Sequence, residues 1–436
     1  MVEVEGGFEA KIGHSWPLPV ELGGRRLFAL DTGRCHGYYS EDGGRTWGSP
    51  CEIRQEGSGM LSDGQGAPTG DVGLPAPLKG SITSVRRLSS GLLGALLVER
   101  RPEEAEQYRH NAGNGVLHTV FMTSEDEGRT WADPVPIGRP GESLLVANNS
   151  LTQLESGRLL APLNWWVSDP YHPEYTGEGR GHPAKGGYGN YRGRRMLVEG
   201  HHHHPEFGGA VVFYSDDLGR TWRSGPNNLW VWPLPSEEGF GGHAPFDEPA
   251  VVETADGRIL MFGRTVLGRV YRCVSADGGE HWSVPRPTEL ASSDSPCMVR
   301  RIPSTGDLVM VWNQLSAEEI LRGLKRARMC TAISRDQGET WENFRTVEVC
   351  GGLPPAKKIE PPPIRTYHSF DDVGDIPVDF GVFAYPSIAF MDDMALFGYG
   401  VNEMRPVSEW PEDAPITGVR EWYGKVKAVP LSWLYE

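Results

Sequence analysis

Short apolar runs recur along the chain with turn residues between them, and their alternation has the period of strands rather than helices. The runs fall in pairs: Leu18 to Leu30 around Gly23-Gly24, Ser81 to Val98 around Gly91, Asn149 to Leu163 around Gly157, Pro249 to Phe262 around Asp256-Gly257, Met298 to Trp312 around Gly306, and Val382 to Tyr399 around Asp392-Asp393. Two apolar segments joined by a tight polar turn predict a hairpin. After each of the first five pairs comes another apolar stretch, such as Val211-Val212-Phe213-Tyr214, and then an octapeptide of the form S-x-D-x-G-x-[TH]-W. The copies begin at Ser40, Ser124, Ser215, Ser275 and Ser334, so successive starts differ by 84, 91, 60 and 59 residues.

The octapeptide predicts a corner between two strands. Its Asp side chain is expected to accept from backbone N–H groups two residues on, and its Gly to supply a left-handed backbone angle. The Thr hydroxyl adds a local bond, and the Trp is a wedge between repeats whose N–H needs a partner. Turn chemistry accounts for all the copies without a catalytic role.

A unit of about 60 residues is the size of a four-stranded blade with its loops. The pattern therefore predicts an all-β chain, a six-bladed β-propeller of four-stranded antiparallel blades over 10–60, 75–140, 145–235, 245–290, 294–350 and 380–436, the last closing with the N-terminus. Two stretches break the period. Residues 168–209, rich in Gly, His, Tyr and Arg, are expected to form a long loop insertion; it holds Arg192, Arg194, Arg195 and the run His201-His202-His203-His204. Gly351 to Asp379, with Pro354-Pro355 and Pro361-Pro362-Pro363, is expected to be an extended crossing between the fifth and sixth blades.

Composition narrows the partners. With 436 residues and a formal net charge of −16, the chain is unsuited to a general nucleic-acid or membrane surface, and an anionic ligand would need a local arginine cluster. Its 6 cysteines include no close C-x-x-C pair, and the four adjacent histidines have no second ligand cluster, so neither a metal nor a cofactor is expected. The start, Met1-Val2-Glu3-Val4-Glu5-Gly6-Gly7, has neither the basic region nor the apolar core of an export signal. The expected location is cytoplasmic, or secreted or periplasmic if a signal has been removed.

The octapeptide resembles the Asp-box, or bacterial neuraminidase repeat, of the sialidase superfamily. Phe246-Asp247-Glu248-Pro249, followed by Gly263-Arg264, is similar to the sialidase blade in which a Glu-Pro pair opens the inner strand and an Arg ends the next. The resemblance makes Glu248 the base for a nucleophilic tyrosine and Arg264 one of three arginines gripping a substrate carboxylate. Phe383-Ala384-Tyr385-Pro386 resembles the segment carrying that tyrosine, Tyr385. A phenol suits a sugar that bears a carboxylate on its anomeric carbon, because an Asp or Glu nucleophile would be repelled. An arginine eight residues before the last box points to Arg326, with Arg322 and Arg328 as rivals.

The first blade departs from the family. His14-Ser15-Trp16-Pro17 stands where an Arg-Ile-Pro segment is expected, and Tyr399 is followed by Gly400 instead of the supporting glutamate. The acid/base aspartate is replaced in Gly33-Arg34-Cys35-His36 by His36, with Asp31 upstream. Imidazole can move protons near neutral pH, so His36, His14 and His110 are candidates for the same mouth, and Arg34 for the acidic sugar. The resemblance implies a retaining exo-glycosidase acting on a terminal acidic sugar of an oligosaccharide or glycoconjugate. Two other readings stay open: a propeller α-L-rhamnosidase or uronate lyase acting on rhamnose-glucuronate linkages through His, Tyr and Arg, and a non-catalytic carbohydrate-binding propeller.

Overall fold

Hairpins of apolar strands meeting at Gly-containing turns build the whole molecule. A computed structural model describes residues 3–55, 76–77, 80–101, 116–139, 142, 144–146, 148–167, 188–198, 207–232, 244–365, 367, 372–412 and 414–436. Among them, six antiparallel sheets succeed one another along the chain. The first uses strands Pro17–Gly23, Arg26–Asp31, His36–Ser40 and Cys51–Glu52; the fourth Asp247–Glu253, Ile259–Arg264, Arg269–Ser275 and Arg286–Ala291; the fifth Met298–Arg301, Leu308–Trp312, Arg328–Ser334 and Glu342–Val349. In the third, the inner strand is split into Leu144–Leu145 and Thr152–Gln153, both pairing with Leu159–Val167. The sixth consists of Val382–Met391, Met394–Met404 and Arg420–Pro430, completed by Phe8–Lys11 from the other end of the chain, with Phe8 opposite Ala428 and Lys11 opposite Lys425. This is the expected sialidase-like six-bladed propeller, latched by its N-terminal strand.

The boxes cap the outer hairpin of each of the first five blades. In the first, the Ser40 hydroxyl donates to Asp42 Oδ1 at 2.9 Å and accepts from the Gly44 N–H at 2.8 Å. Asp42 then takes the Thr46 N–H (2.9 Å) and hydroxyl (2.6 Å), and the Trp47 indole donates to the Gly44 carbonyl at 2.9 Å. The Asp therefore reaches four residues on, not the two expected of an Asx-turn, because Gly44 at φ +89° folds the chain back under it. In the fourth box His281 replaces Thr, its Nδ1 lying 2.7 Å from Asp277 Oδ2.

The packing between neighbouring sheets is apolar, with Trp131, Trp312, Phe28, Phe121, Phe262 and Phe397 fully buried. The stretch 168–209 is less irregular than expected: within it Tyr188–Tyr191 and Arg194–Leu197 form a hairpin that pairs in parallel with Gly374–Asp375. Arg192 at φ +48° and Gly193 at +79° turn it, a positive-φ pair that the Arg-rich composition hid. His201 to His204 lie outside the described residues, as does His110. A short helix, Ala317–Leu321, capped by a reciprocal Ser316–Glu319 box, sits in the fifth blade where none was expected. Among the described residues no helix is long and apolar enough to cross a membrane.

Candidate active site

Inner strands of the fourth and sixth blades are interrupted near their starts by the same device. Register shifts lie between Asp247 and Ala250 and between Ala384 and Ser387, and each contains an X-Pro pair, Glu248-Pro249 and Tyr385-Pro386. Proline has no N–H to give a ladder, so a bulge is where a strand tolerates it. The residue before each proline is left-handed, Glu248 at φ +45° and Tyr385 at φ +53°. Non-glycine residues in that region each carry strain on the order of 1–3 kcal/mol, held only when the surroundings over-determine them.

The third blade supplies that restraint for Glu248. Its N–H donates to Asn164 Oδ1 at 2.9 Å, and its carbonyl accepts from Asn148 Nδ2 at 2.7 Å. The Asn164 amide is held in turn by the Phe246 carbonyl and by Asp247 Oδ1. An asparagine inside the apolar strand Leu159–Val167 is the sequence signal that could have revealed this support.

The side chains so aimed meet. Glu248 Oε2 accepts from Arg264 Nη1 at 2.7 Å, and the Glu248 carboxylate is close enough to act on the Tyr385 phenol. Arg264 Nε donates to Asp294 Oδ1 at 2.5 Å, with arginine and both carboxylates buried. Arg326 lies over the ring of Tyr385 at 5.3 Å, and Trp16 stacks on the same ring with centroids 4.3 Å apart and planes inclined by 27°. The Phe383 N–H donates to the Arg326 carbonyl at 2.9 Å, so the arginine is fixed to the blade that carries the tyrosine. The rival Arg328 is committed elsewhere, to Glu319 at 2.8 Å and to the Pro354 carbonyl, and Arg322 is exposed at the end of the short helix.

Burial and the Glu248 charge push the Tyr385 phenol up to about 12, against the opposing pull of Arg326 and Arg264. The two carboxylates hold the Arg264 guanidinium well above its ordinary value in spite of burial. The phenol thus rests protonated near a base.

Blade one contributes less than expected. Asp31 is fully buried, and its two oxygens accept the His14 N–H (2.9 Å) and the Gly33 N–H (3.1 Å). A carboxylate occupied with turn amides is an anchor for the 13–16 and 31–34 segments, which places Asp31 away from the acid/base task. His36 is half-buried, and His14 and Arg34 are exposed. They belong to the segments that enter the inner strand and join the second and third strands, the same end of the propeller as Trp16 and Tyr385. Tyr399, where the family would place a glutamate partner nearby, is buried and donates to Glu348 at 2.6 Å. Asp294 and Trp16 are the residues sequence reasoning missed. Asp294 stands in Ser292-Ser293-Asp294-Ser295, a fully buried polar run between blades that signals a role beyond packing. Among the described residues no cluster of three or more His, Cys, Asp or Glu could hold a metal ion.

Comparison with known proteins bears on the family and the fold. The BNR repeat-like domain family matches residues 105–397. A sialidase of Micromonospora viridifaciens is 27% identical over 323 residues, which span 69% of this chain but 39% of that protein. Among solved structures, a Dyadobacter fermentans protein of unknown function matches with TM-score 0.57 and 15% identity over 97% of this chain and 98% of its own. The intramolecular trans-sialidase of Ruminococcus gnavus, in complex with oseltamivir carboxylate, matches with TM-score 0.50 and 13% identity over 100% and 99%. At such identities these structural likenesses are likenesses of fold.

Proposed function

The chain belongs to the BNR repeat-like domain family of the sialidase superfamily, and from that premise we propose that it is a retaining glycoside hydrolase acting on a terminal acidic sugar. The observation that carries this reading is the meeting of Tyr385 with Glu248 beside Arg264 and Arg326, both residues being held left-handed within a bulge. In the first step Glu248 takes the phenolic proton while the Tyr385 oxygen attacks the anomeric carbon and the glycosidic bond breaks. His36 gives the departing oxygen its proton. In the second step His36 takes a proton from water, water attacks the same carbon, and the Tyr385 oxygen leaves and recovers its proton from Glu248. Arg326, Arg264 and Arg34 face the sugar's carboxylate, with Trp16 beside the ring.

One observation favours a second reading. Arg264 already answers two carboxylates, Glu248 and Asp294, and the His14-Ser15-Trp16-Pro17 segment that opens the first blade's inner strand carries no arginine. A site with less cationic charge to spare than a full arginine triad fits a uronate-linked substrate, cleaved by a rhamnosidase or lyase.

The test incubates the protein with a fluorogenic sialoside and, separately, with a rhamnose-glucuronate polysaccharide. Dye release that vanishes in Tyr385→Phe supports the first reading. Ultraviolet absorbance of an unsaturated uronate without dye release supports a lyase, and full turnover by Tyr385→Phe on the sialoside removes the nucleophile from the scheme. Binding without turnover on either substrate leaves the non-catalytic carbohydrate-binding propeller.

A further inference from the structure

The channel along the propeller axis has a second end. A cavity of about 630 Å³ opens there, and every blade contributes to its wall: Val20, Arg86, Thr152, Val251, Arg300 and Ile388 lie on successive inner strands. Val251 and Val252 follow Glu248 on one strand, and Ile388 follows Tyr385 on another, so this cavity lies roughly 10–13 Å down the strands from the catalytic groups.

Two arginines share it. Arg300 donates from Nη1 to the Val299 carbonyl (3.0 Å) and from Nη2 to the Asn149 carbonyl (2.6 Å), and neither acceptor carries a charge. Arg86, on the inner strand of the second blade, faces the same space. Among the described residues neither guanidinium has a carboxylate partner. Three carboxylates also line the cavity, none bonded to either arginine: Glu155 pairs with Arg301, Glu253 accepts the Glu155 N–H at 2.7 Å, and Glu21 is exposed. Burial lowers the Arg86 pKa, and burial together with the Arg86 charge brings Arg300 down to about 9.

Two like charges held together without a counter-charge destabilise a fold unless something else supplies it. The surrounding walls are rigid inner strands, so neither arginine can swing into bulk water without leaving the channel. In a chain of net charge −16, a cationic pair within this cavity concentrates small anions rather than polyanions, which the acidic exterior repels.

We propose that the distal end of the channel is a small-oxyanion site, in which Arg86 and Arg300 together bind one carboxylate, phosphate or sulfate group. Guanidinium N–H groups left over from the Val299 and Asn149 carbonyls supply charge-assisted bonds to its oxygens, with the Thr152 segment as a neutral wall. The cavity is large enough for a sugar acid as well as for an inorganic ion.

The test is the thermal unfolding midpoint of the whole protein, titrated with sodium phosphate and separately with sodium glucuronate against sodium chloride of equal ionic strength. A saturable rise is expected, since an anion that binds only the folded state raises its stability by mass action. Arg86→Gln and Arg300→Gln are each expected to weaken the apparent affinity about tenfold or more, whereas Tyr385→Phe leaves it unchanged, which separates this site from the catalytic one. A rise with phosphate alone assigns an inorganic ion, and a rise with glucuronate at lower concentration assigns a sugar acid. Phosphorus resonance broadening of free phosphate by the wild-type protein gives a readout that needs no variant. No saturable rise and no broadening, or equal rises in wild type and both arginine variants, would overturn the proposal.

Discussion

Glu248 and Tyr385 reach the channel because each precedes a proline inside a bulge, and that pairing sets what their substitution should do. With its phenol raised to about 12, Tyr385 becomes nucleophilic only as Glu248 removes the proton. Glu248→Gln is therefore expected to lower kcat by about 10²–10⁴-fold, with a smaller loss at high pH, because the change also removes a charge that raises the phenol; a pH-rate profile checks both. Arg264 poses a stability question as well as a catalytic one. Replacing it with Met leaves Glu248 and Asp294 buried and facing each other, which should reduce unfolding free energy by about 3–5 kcal/mol in urea titration. Asp294→Asn keeps a hydrogen-bonding side chain beside Arg264, so a positioning role predicts a raised KM for acidic substrate at nearly unchanged stability. Glu248, Arg264 and Tyr385 were legible because each sits in a short local word, Glu-Pro, Gly-Arg or Tyr-Pro, that resembles the family's. Asp294, Asn164 and Trp16 were not, because their partners lie in other blades and nothing within ten residues of them states the contact. Asp31 reads the same in sequence whether its carboxylate faces substrate or backbone amides, and the structure gives it the His14 and Gly33 N–H groups.

At the scale of the element, the boxes and hairpins were the most legible part of the chain. Turn residues, alternating apolar strands and a fixed spacing all specify the same blade, and such agreement is what makes a local pattern reliable. The box carboxylates make a pH prediction. Hydrogen bonds from the Thr46 hydroxyl and N–H hold Asp42 down at about 2, and those from Thr221 do the same for Asp217. A carboxyl whose folded pKa is depressed stabilises the fold above its unfolded value, near 4, and that contribution is lost as pH falls toward 2. Urea midpoints measured across this interval should fall, and Asp42→Asn should fall less steeply. The wedge is a separate matter of volume. Trp131 is fully buried at a junction between sheets, and Trp131→Ala should reduce stability by about 3–5 kcal/mol, measurable by the same titration. The hairpin at Tyr188–Leu197 escaped notice because its strands carry Arg, Asn and Gly where an apolar alternation would be read. Its partner strand, Gly374–Asp375, lies far away in sequence.

For the whole molecule, the ring is closed by four residues, Phe8–Lys11, laid against Arg420–Pro430. Removing them exposes a long edge strand and leaves the sixth blade with three strands, so the truncated chain should unfold less cooperatively and associate on standing, as light scattering and urea titration would report. The same latch has a consequence for synthesis. A nascent chain releases Phe8–Lys11 from the ribosome long before Arg420–Pro430, so the strand waits unpaired while the blades between them are made. Domains otherwise tend to fold as they emerge; here ring closure is deferred until Arg420–Pro430 has left the ribosome. A stalled chain ending before Arg420 should present an open arc of folded blades with both flanks bare, a natural client for chaperones that shield strand edges.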